Sequence, residues 1–394
     1  MSKYGNGSIE DRGSGAYRLR YRIDNTPYTK TIHAENIKEA RTELAKIIGN
    51  PKKHIAPNSK LLSEWIDQWL ELIKRNSGEK RRRGLVNPRT AERYGQLLEH
   101  AKRKLGKVAL QKLTASQVDD LYVGLEEKLA TRTILHLHNC LRPCLASAVK
   151  KKLISENPCD FAEIPNPGDV GEITVLDQDK LAELVRGFRG HELEMIVDLA
   201  AHVGARRNEI IALTWDDIDF AAKTLTINKA VEDTVAYGRH IKEPKTAKGR
   251  RVIGIDAALV ERLRAYRDAM KREIAGIENG ADVDLGLIKM MRGCLLFPGR
   301  PAPGQDIDYT KLRDGHAVSR TFKKHAARLG FTLKFHWVRA SHLTVLLDAG
   351  QPVHIVAKRA GHDPMTLLSS YARWTKKTDA KVADVLLGMS KASV

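Results

Sequence analysis

Gly204-Ala205-Arg206-Arg207-Asn208-Glu209 runs straight into Ile210-Ile211-Ala212-Leu213, and this stretch decides how the C-terminal half is read. Upstream, Leu193, Ile196, Val197 and Ala200 recur at helical spacing. A buried helix is therefore expected there, stopped by Gly204. Arg206 and Glu209 stand three apart at the start of the next helix, where a carboxylate can orient a guanidinium.

Three further segments extend the pattern. Pro244-Lys245-Thr246 lies in a basic connection, Lys242 to Arg250, between two strand-like runs, Thr224 to Asn228 and Arg251 to Ile255. His336-Trp337-Val338-Arg339 puts an imidazole and a guanidinium on one helix face. Gly361-His362 is followed nine residues later by Tyr371. Asp363-Pro364 reads as an N-cap and first-turn pair, so Tyr371 is expected on a short helix facing back toward His362. Each element alone is common in a chain with 14 histidines. In this order they make the inventory of phosphodiester chemistry through a tyrosine. A phenol, with a pKa of ~10, is a weak nucleophile until its proton is removed or the phenolate is stabilised. Two guanidiniums can clamp the attacked phosphate, a lysine can protonate the leaving 5′ oxygen, and histidines can move protons or hydrogen-bond the phosphate.

The 394 residues predict roughly two to four domains. Lys and Arg number 67 against 48 Asp and Glu, a formal charge of +19 that points to a polyanion such as nucleic acid. With 42% hydrophobic residues the chain can build cores, which excludes wholesale disorder. Cys140, Cys144, Cys159 and Cys294 are too few and too scattered for a disulfide framework. The stretch Met1 to Ser8 lacks a signal peptide's apolar run, and no segment reaches the ~18 consecutive apolar residues of a membrane span. The expectation is a cytoplasmic protein with no membrane partner. With no Gly-rich phosphate loop, carboxylate triad or His/Cys cluster, neither a cofactor nor a metal is expected. If the broken bond's energy is kept in a covalent phosphotyrosine, religation needs neither hydrolysis nor an external energy source.

Outward from the C-terminal motifs, the chain reads as mainly α with small β elements, in three parts. Residues 1–57 form a small β-sheet plus one helix. Tyr17, Leu19 and Tyr21 alternate with Arg18, Arg20 and Arg22 along one strand, Tyr28 to His33 is a second, and Ile37, Ala40, Leu44, Ile47 and Ile48 line a helix. The arginine face fits a major groove, which admits a β-ribbon, and equally a solvated strand. Residues 58–160 form an all-α unit of four helices. Its signals are the stripe Leu61, Leu62, Trp65, Ile66, Trp69, the cap Asn87-Pro88, the capping box Thr114 with Gln117, and a last helix kinked at Pro143. Its basic loop places Arg81 and Arg82 as phosphate contacts. Residues 173–394 form a mixed α/β unit in which residues 269–293 resist assignment, and Lys248 and Arg250 are further candidate phosphate contacts.

On these motifs the C-terminal region, from Ile173 to at least Trp374, resembles the tyrosine recombinases, in particular phage-type, lambda-integrase-like integrases. The resemblance implies a tyrosine-recombinase catalytic domain at 173–394, a core-binding domain at 58–160 and an arm-site DNA-binding domain at 1–57. It implies that Arg206 and Arg339 are the catalytic arginines and Lys245 the hairpin lysine, in preference to Lys242 or Lys248. By the same resemblance His336 and His362 are the catalytic histidines, Tyr371 is the nucleophile, and Glu209 is the acidic neighbour of the first arginine. His342 reads as a core residue. The activity implied is site-specific DNA recombination through a 3′-phosphotyrosine, integrating or excising a mobile element. The implied partners are double-stranded DNA, a homotetramer passing through a Holliday junction, and accessory DNA-bending or directionality factors. A tail with Val382, Val385, Leu386 and Met389 at helical spacing packs either in cis or on a neighbouring protomer. Two alternatives remain: a silent DNA-binding regulator of the same fold, which would lack a catalytic residue, and a type IB topoisomerase activity, which shares the chemistry but would relax DNA without sequence choice.

Overall fold

The computed structural model describes residues 7–23, 26–49, 58–75, 86–166, 168, 173–235, 237–244, 249–278 and 280–374. The chain divides into two compact units, Met1–Val170 and Gly171–Val394.

In the first unit β1 (Gly7–Asp11), β2 (Ala16–Ile23) and β3 (Thr26–His33) pair antiparallel in that order. The two-residue period of β2 turns Tyr17, Leu19 and Tyr21 toward α1 (Ile37–Gly49), where they are buried with Ala40 and Leu44. Arg18 is half-buried on the other face, Arg20 and Arg22 are exposed, and Arg20 pairs with Glu10 at 2.8 Å. Four helices follow: α2 (Leu62–Arg75), α3 (Pro88–Leu105), α4 (Ala115–Glu126) and α5 (Thr131–Lys150). They enclose a core that includes Trp65, Ile66, Leu98, Val118 and Leu141. Both expected caps are present: the Asn87 side chain accepts from the Arg89 N–H, and Thr114 and Gln117 cap reciprocally. Pro143 lies inside α5, and one residue on, the Cys144 carbonyl accepts the Trp65 indole N–H at 3.0 Å. Cys140, Cys144 and Cys159 are buried free thiols, and burial pushes Cys140 and Cys159 up to about 12. Such thiols pack as small apolar groups and are poor nucleophiles. Arg81 and Arg82 lie outside the described residues.

The second unit begins with α6 (Gln178–Gly187), α7 (Glu194–Val203) and the short α8 (Arg207–Ile210). Strands β4 (Ile218–Asp219) and β5 (Thr224–Ile227) precede a hairpin of β6 (Ala230–Thr234) and β7 (Gly238–Lys242), and then β8 (Arg251–Gly254). The sheet order is β4-β5-β8, so the two strand-like runs read from the sequence do pair, while β6 and β7 form a separate two-stranded sheet. The sequence reading did not separate out that hairpin. Its strands carry Glu232, Asp233, Arg239 and His240 and lack the apolar alternation that marks a half-buried strand. Helices α9 (Ala257–Ala275), α10 (Gly315–Arg328), α11 (Phe335–Asp348), α12 (Val353–Ala360) and α13 (Pro364–Trp374) complete the unit. Of the stretch that resisted assignment, residues 269–275 belong to α9, and the rest carries no helix or strand among the described residues.

The core of this unit gathers around α7, nearly all of whose side chains are buried. Its one buried acid, Asp198, is held by Arg262 at 2.5 and 3.2 Å and by His202 at 3.1 Å. The helix ends where expected. Gly204 takes φ +66°, and a Cβ there would meet the His342 ring at 2.3 Å, so both backbone conformation and space require glycine.

Candidate active site

The site grows from the turn between α7 and α8. Arg206 caps α8, and its backbone N–H donates to Glu209 Oε2 at 2.8 Å while its guanidinium donates to Oε1 at 2.8 Å. The spacing of three residues thus does what the sequence suggested. A second arginine reaches the same carboxylate from β8: Arg251 donates to Oε2 at 2.7 Å and to Oε1 at 3.3 Å. Burial alone would raise the Glu209 carboxyl. The hydrogen bonds and charge of Arg251, with the backbone and charge of Arg206, outweigh it and hold the group at about 2.

Arg339 comes from α11 and is only 2% exposed. It donates to the Gly204 carbonyl at 2.5 Å, to the Ala360 carbonyl at 2.6 Å and to His362 Nε2 at 3.0 Å. These use three of the five guanidinium N–H groups, so two remain for a ligand. Burial first, then the Arg206 charge, pushes Arg339 down to about 9, which leaves it protonated at neutral pH.

His362 follows Gly361, whose φ of +64° ends α12. Because Nε2 accepts from Arg339, the neutral ring carries its proton on Nδ1, which is buried without a partner among the described residues. Burial, followed by the charges of Arg339, Arg206, Arg251 and His336, holds this histidine at about 4. His336, one turn before Arg339, is exposed at the surface. Desolvation by its neighbours is still the largest influence lowering its pKa, ahead of Arg339, Arg206 and Arg207. His342 is a core residue, bonded through Nδ1 to the Ala201 carbonyl at 2.7 Å.

Tyr371 is placed differently from the expectation. It does lie on a short helix, α13, but its hydroxyl donates to Asp348 Oδ1 at 2.7 Å. Asp348 ends α11, nine residues beyond Arg339, which is about 13 Å along the axis. A carboxylate at that end of α11 competes for the phenol's proton, and nothing in the spacing of the motifs announces it.

Lys245 and Lys248 lie outside the described residues. Of the flanking candidates, Lys242 is engaged by both oxygens of Glu232 at 2.8 Å, and Arg250 pairs with Glu243. The sequence reading missed Arg251. Its signal was the alternation of β8, which buries Arg251 and Ile253 and exposes Val252. The result is an unbalanced cluster in which the guanidiniums of Arg206, Arg251 and Arg339 surround one carboxylate, Glu209. A site with that surplus favours an anion able to take several hydrogen bonds at once.

Two family models match the chain, the phage integrase family over residues 175–378 and the phage integrase SAM-like domain over residues 63–164. A XerC-like tyrosine recombinase of Caldanaerobacter subterraneus subsp. tengcongensis is 26% identical over 61% of this chain and 62% of its own length. An integrase of Streptomyces ambofaciens is 24% identical over 82% of this chain and 79% of its own length. Among solved structures, the fold is similar to the Tn1549 transposon integrase in complex with a circular intermediate DNA, with TM-score 0.62, 18% identity, and 83% and 99% of the two chains covered. It is also similar to a lambda integrase dimer bound to a COC′ core site, with TM-score 0.56, 16% identity, and 94% and 96% covered. With the first family model spanning more than half of its residues, the chain belongs to the phage integrase family and is a site-specific recombinase of the tyrosine class.

Proposed function

We propose that the chain cuts and rejoins double-stranded DNA with Tyr371 as nucleophile, integrating or excising a mobile element. The observation that carries this reading is the guanidinium surplus around Glu209, with free donors on Arg339 beside a neutral His362. In the proposed step the Tyr371 hydroxyl gives its proton to His336 as its oxygen attacks phosphorus, a 3′-phosphotyrosine bond forms, and the bond to the 5′ oxygen breaks. Lys245 delivers the proton to that leaving oxygen. Arg206 and Arg339 bind the non-bridging oxygens, His362 donates from Nδ1, and His336 hydrogen-bonds at the exposed rim. Attack by a 5′ hydroxyl of the partner strand reverses the chemistry, so neither hydrolysis nor an external energy source is needed.

The same reading assigns residues 1–57 to arm sites, 58–160 to the core site and 173–394 to catalysis. Arg18, Arg20, Arg22, Arg81, Arg82, Lys248 and Arg250 serve as backbone contacts. Its working form is a homotetramer on DNA, the family's Holliday-junction assembly, with bending or directionality factors supplied from outside. No helix among the described residues is long and apolar enough to cross a membrane.

The test uses a duplex built from the junction sequences flanking the chain's own gene, nicked beside the cut position to trap the intermediate. The wild-type chain is expected to form an SDS-resistant adduct and Tyr371→Phe none. An adduct that survives in Tyr371→Phe would overturn the assignment of the nucleophile.

A further inference from the structure

Arg251 is one of the few buried charged side chains of the second unit, and it reaches the groups assigned to the reaction only through its hydrogen-bond partners. Its side chain is 3% exposed. Besides the two bonds to Glu209, its Nε donates to the Arg359 carbonyl at 2.8 Å and its NH1 to the Gly249 carbonyl at 3.2 Å. Each partner leads to a different part of the site. Glu209 fixes the backbone and guanidinium of Arg206. Arg359 precedes Ala360, whose carbonyl holds Arg339. Gly249 is the first described residue after Lys245–Lys248.

We infer that Arg251 is a positioning residue for strand cleavage: it locks the Glu209 carboxylate so that Arg206 meets the phosphate in one orientation, and it ties that lock to the Arg359 carbonyl, one residue before the Ala360 carbonyl that holds Arg339. The inference rests on the reading of Arg206 as a phosphate clamp. The physical reason is the planar fork. One guanidinium satisfies a carboxylate bidentately and two carbonyls on separate elements, which a lysine's compact ammonium cannot reproduce. The charged groups facing Glu209 are Arg206 on its own turn, Arg251 from β8 and Arg339 from α11. With Arg251 gone, burial acts on the carboxylate with one fewer opposing charge, and Glu209 protonates at higher pH. A protonated Glu209 no longer holds Arg206 as an anion does.

The experiment measures single-turnover adduct formation on the nicked junction duplex, at saturating DNA, from pH 5 to 8. It uses the full chain as wild type, Arg251→Met, Arg251→Lys, Glu209→Gln and the double variant Arg251→Met/Glu209→Gln. Arg251→Met is expected to cleave about 10–100-fold more slowly at pH 7.5, in line with losing a supporting contact behind a reacting group. It should also lose additional rate between pH 7 and 5, a loss seen neither in the wild type nor in the two chains that carry Glu209→Gln. Arg251→Lys should recover part of the rate at most. Should Arg251→Met fail to fold because the buried carboxylate has lost one of its two guanidinium partners, the double variant carries the test. It removes both charges, and its rate should lie within about threefold of Glu209→Gln, because the two side chains act as one unit.

Arg251→Met cleaving within twofold of wild type, an identical acid limb in the double variant, or fully additive losses would each overturn the inference and leave the recombinase reading standing. Absence of a Tyr371-dependent adduct in the wild type would overturn the reading itself.

Discussion

The chain uses arginine in two opposite ways. On β2, Arg20 and Arg22 are exposed, and Arg20 shares a surface pair with Glu10. Around Glu209, Arg251 and Arg339 are buried, and their N–H groups are taken by a carboxylate, a histidine and the carbonyls of Gly204, Gly249, Arg359 and Ala360. An exposed guanidinium keeps its rotamers and is screened by salt, which suits contact with any phosphate backbone. A buried one is fixed before the ligand arrives, and its field is little weakened by water. The surplus of +19 therefore does not say which arginines do chemistry. Their hydrogen-bond partners do.

The contrast can be broken most severely at Arg339. Replacing it with alanine removes a clamp on the phosphate and leaves the carbonyls of Gly204 and Ala360 without that donor. Cleavage is expected to fall by about 10³-fold or more, by analogy with losing one preorganised donor at a reacting oxyanion. Single-turnover adduct formation measures it, and a loss below tenfold would place Arg339 with the surface arginines.

A middle-sized effect comes from the histidines that share the buried side. Burial first, then Arg359, holds His342 at about 3, and His362 is held at about 4. Both values lie below the ~6.5 of an unfolded histidine, so the unfolded chain binds more protons between the two limits. Their contribution to stability is complete above pH ~6.5 and is lost as pH falls. His202, raised by its hydrogen bond to Asp198, has the opposite sign: its contribution is present at low pH and lost as pH rises through its folded value. For His342 alone the loss from pH 7 to 5 is about 2 kcal/mol. Urea unfolding at both pH values should show a smaller pH dependence in His342→Gln than in wild type by about that amount.

The smallest effect belongs to the sheet. Replacing Arg18, Arg20 and Arg22 with glutamine should lower the salt slope of DNA binding by about 2–3, near 0.9 for each phosphate no longer neutralised. A slope that does not move would mean that this face meets solvent only.

What the sequence made legible follows from range. Signals between neighbours were readable: the Tyr-Arg alternation of β2, the caps at Asn87 and Thr114, the Gly204 stop, and Arg206 with Glu209 three residues apart. Partnerships between distant residues were not. Arg251 meets Glu209 across 42 positions, and Tyr371 meets Asp348 across 23 with no periodic pattern to mark the pair. The β6–β7 hairpin was hidden for a different reason, since with little apolar surface to bury it leaves no period in its residues. The family resemblance supplied the roles of Tyr371 and His362. Local chemistry alone would have aimed the phenol at the histidine.

The bond from Tyr371 to Asp348 sets a resting occupancy. A hydrogen bond to a charged acceptor is worth up to about 1.5–3 kcal/mol, so this bond favours the held phenol over the released one. On the proposed reading of Tyr371 as the nucleophile, a protomer meeting a chance duplex holds that oxygen parked, which limits accidental nicks before any bond-making begins. Whatever draws α13 away from the end of α11 acts as the trigger.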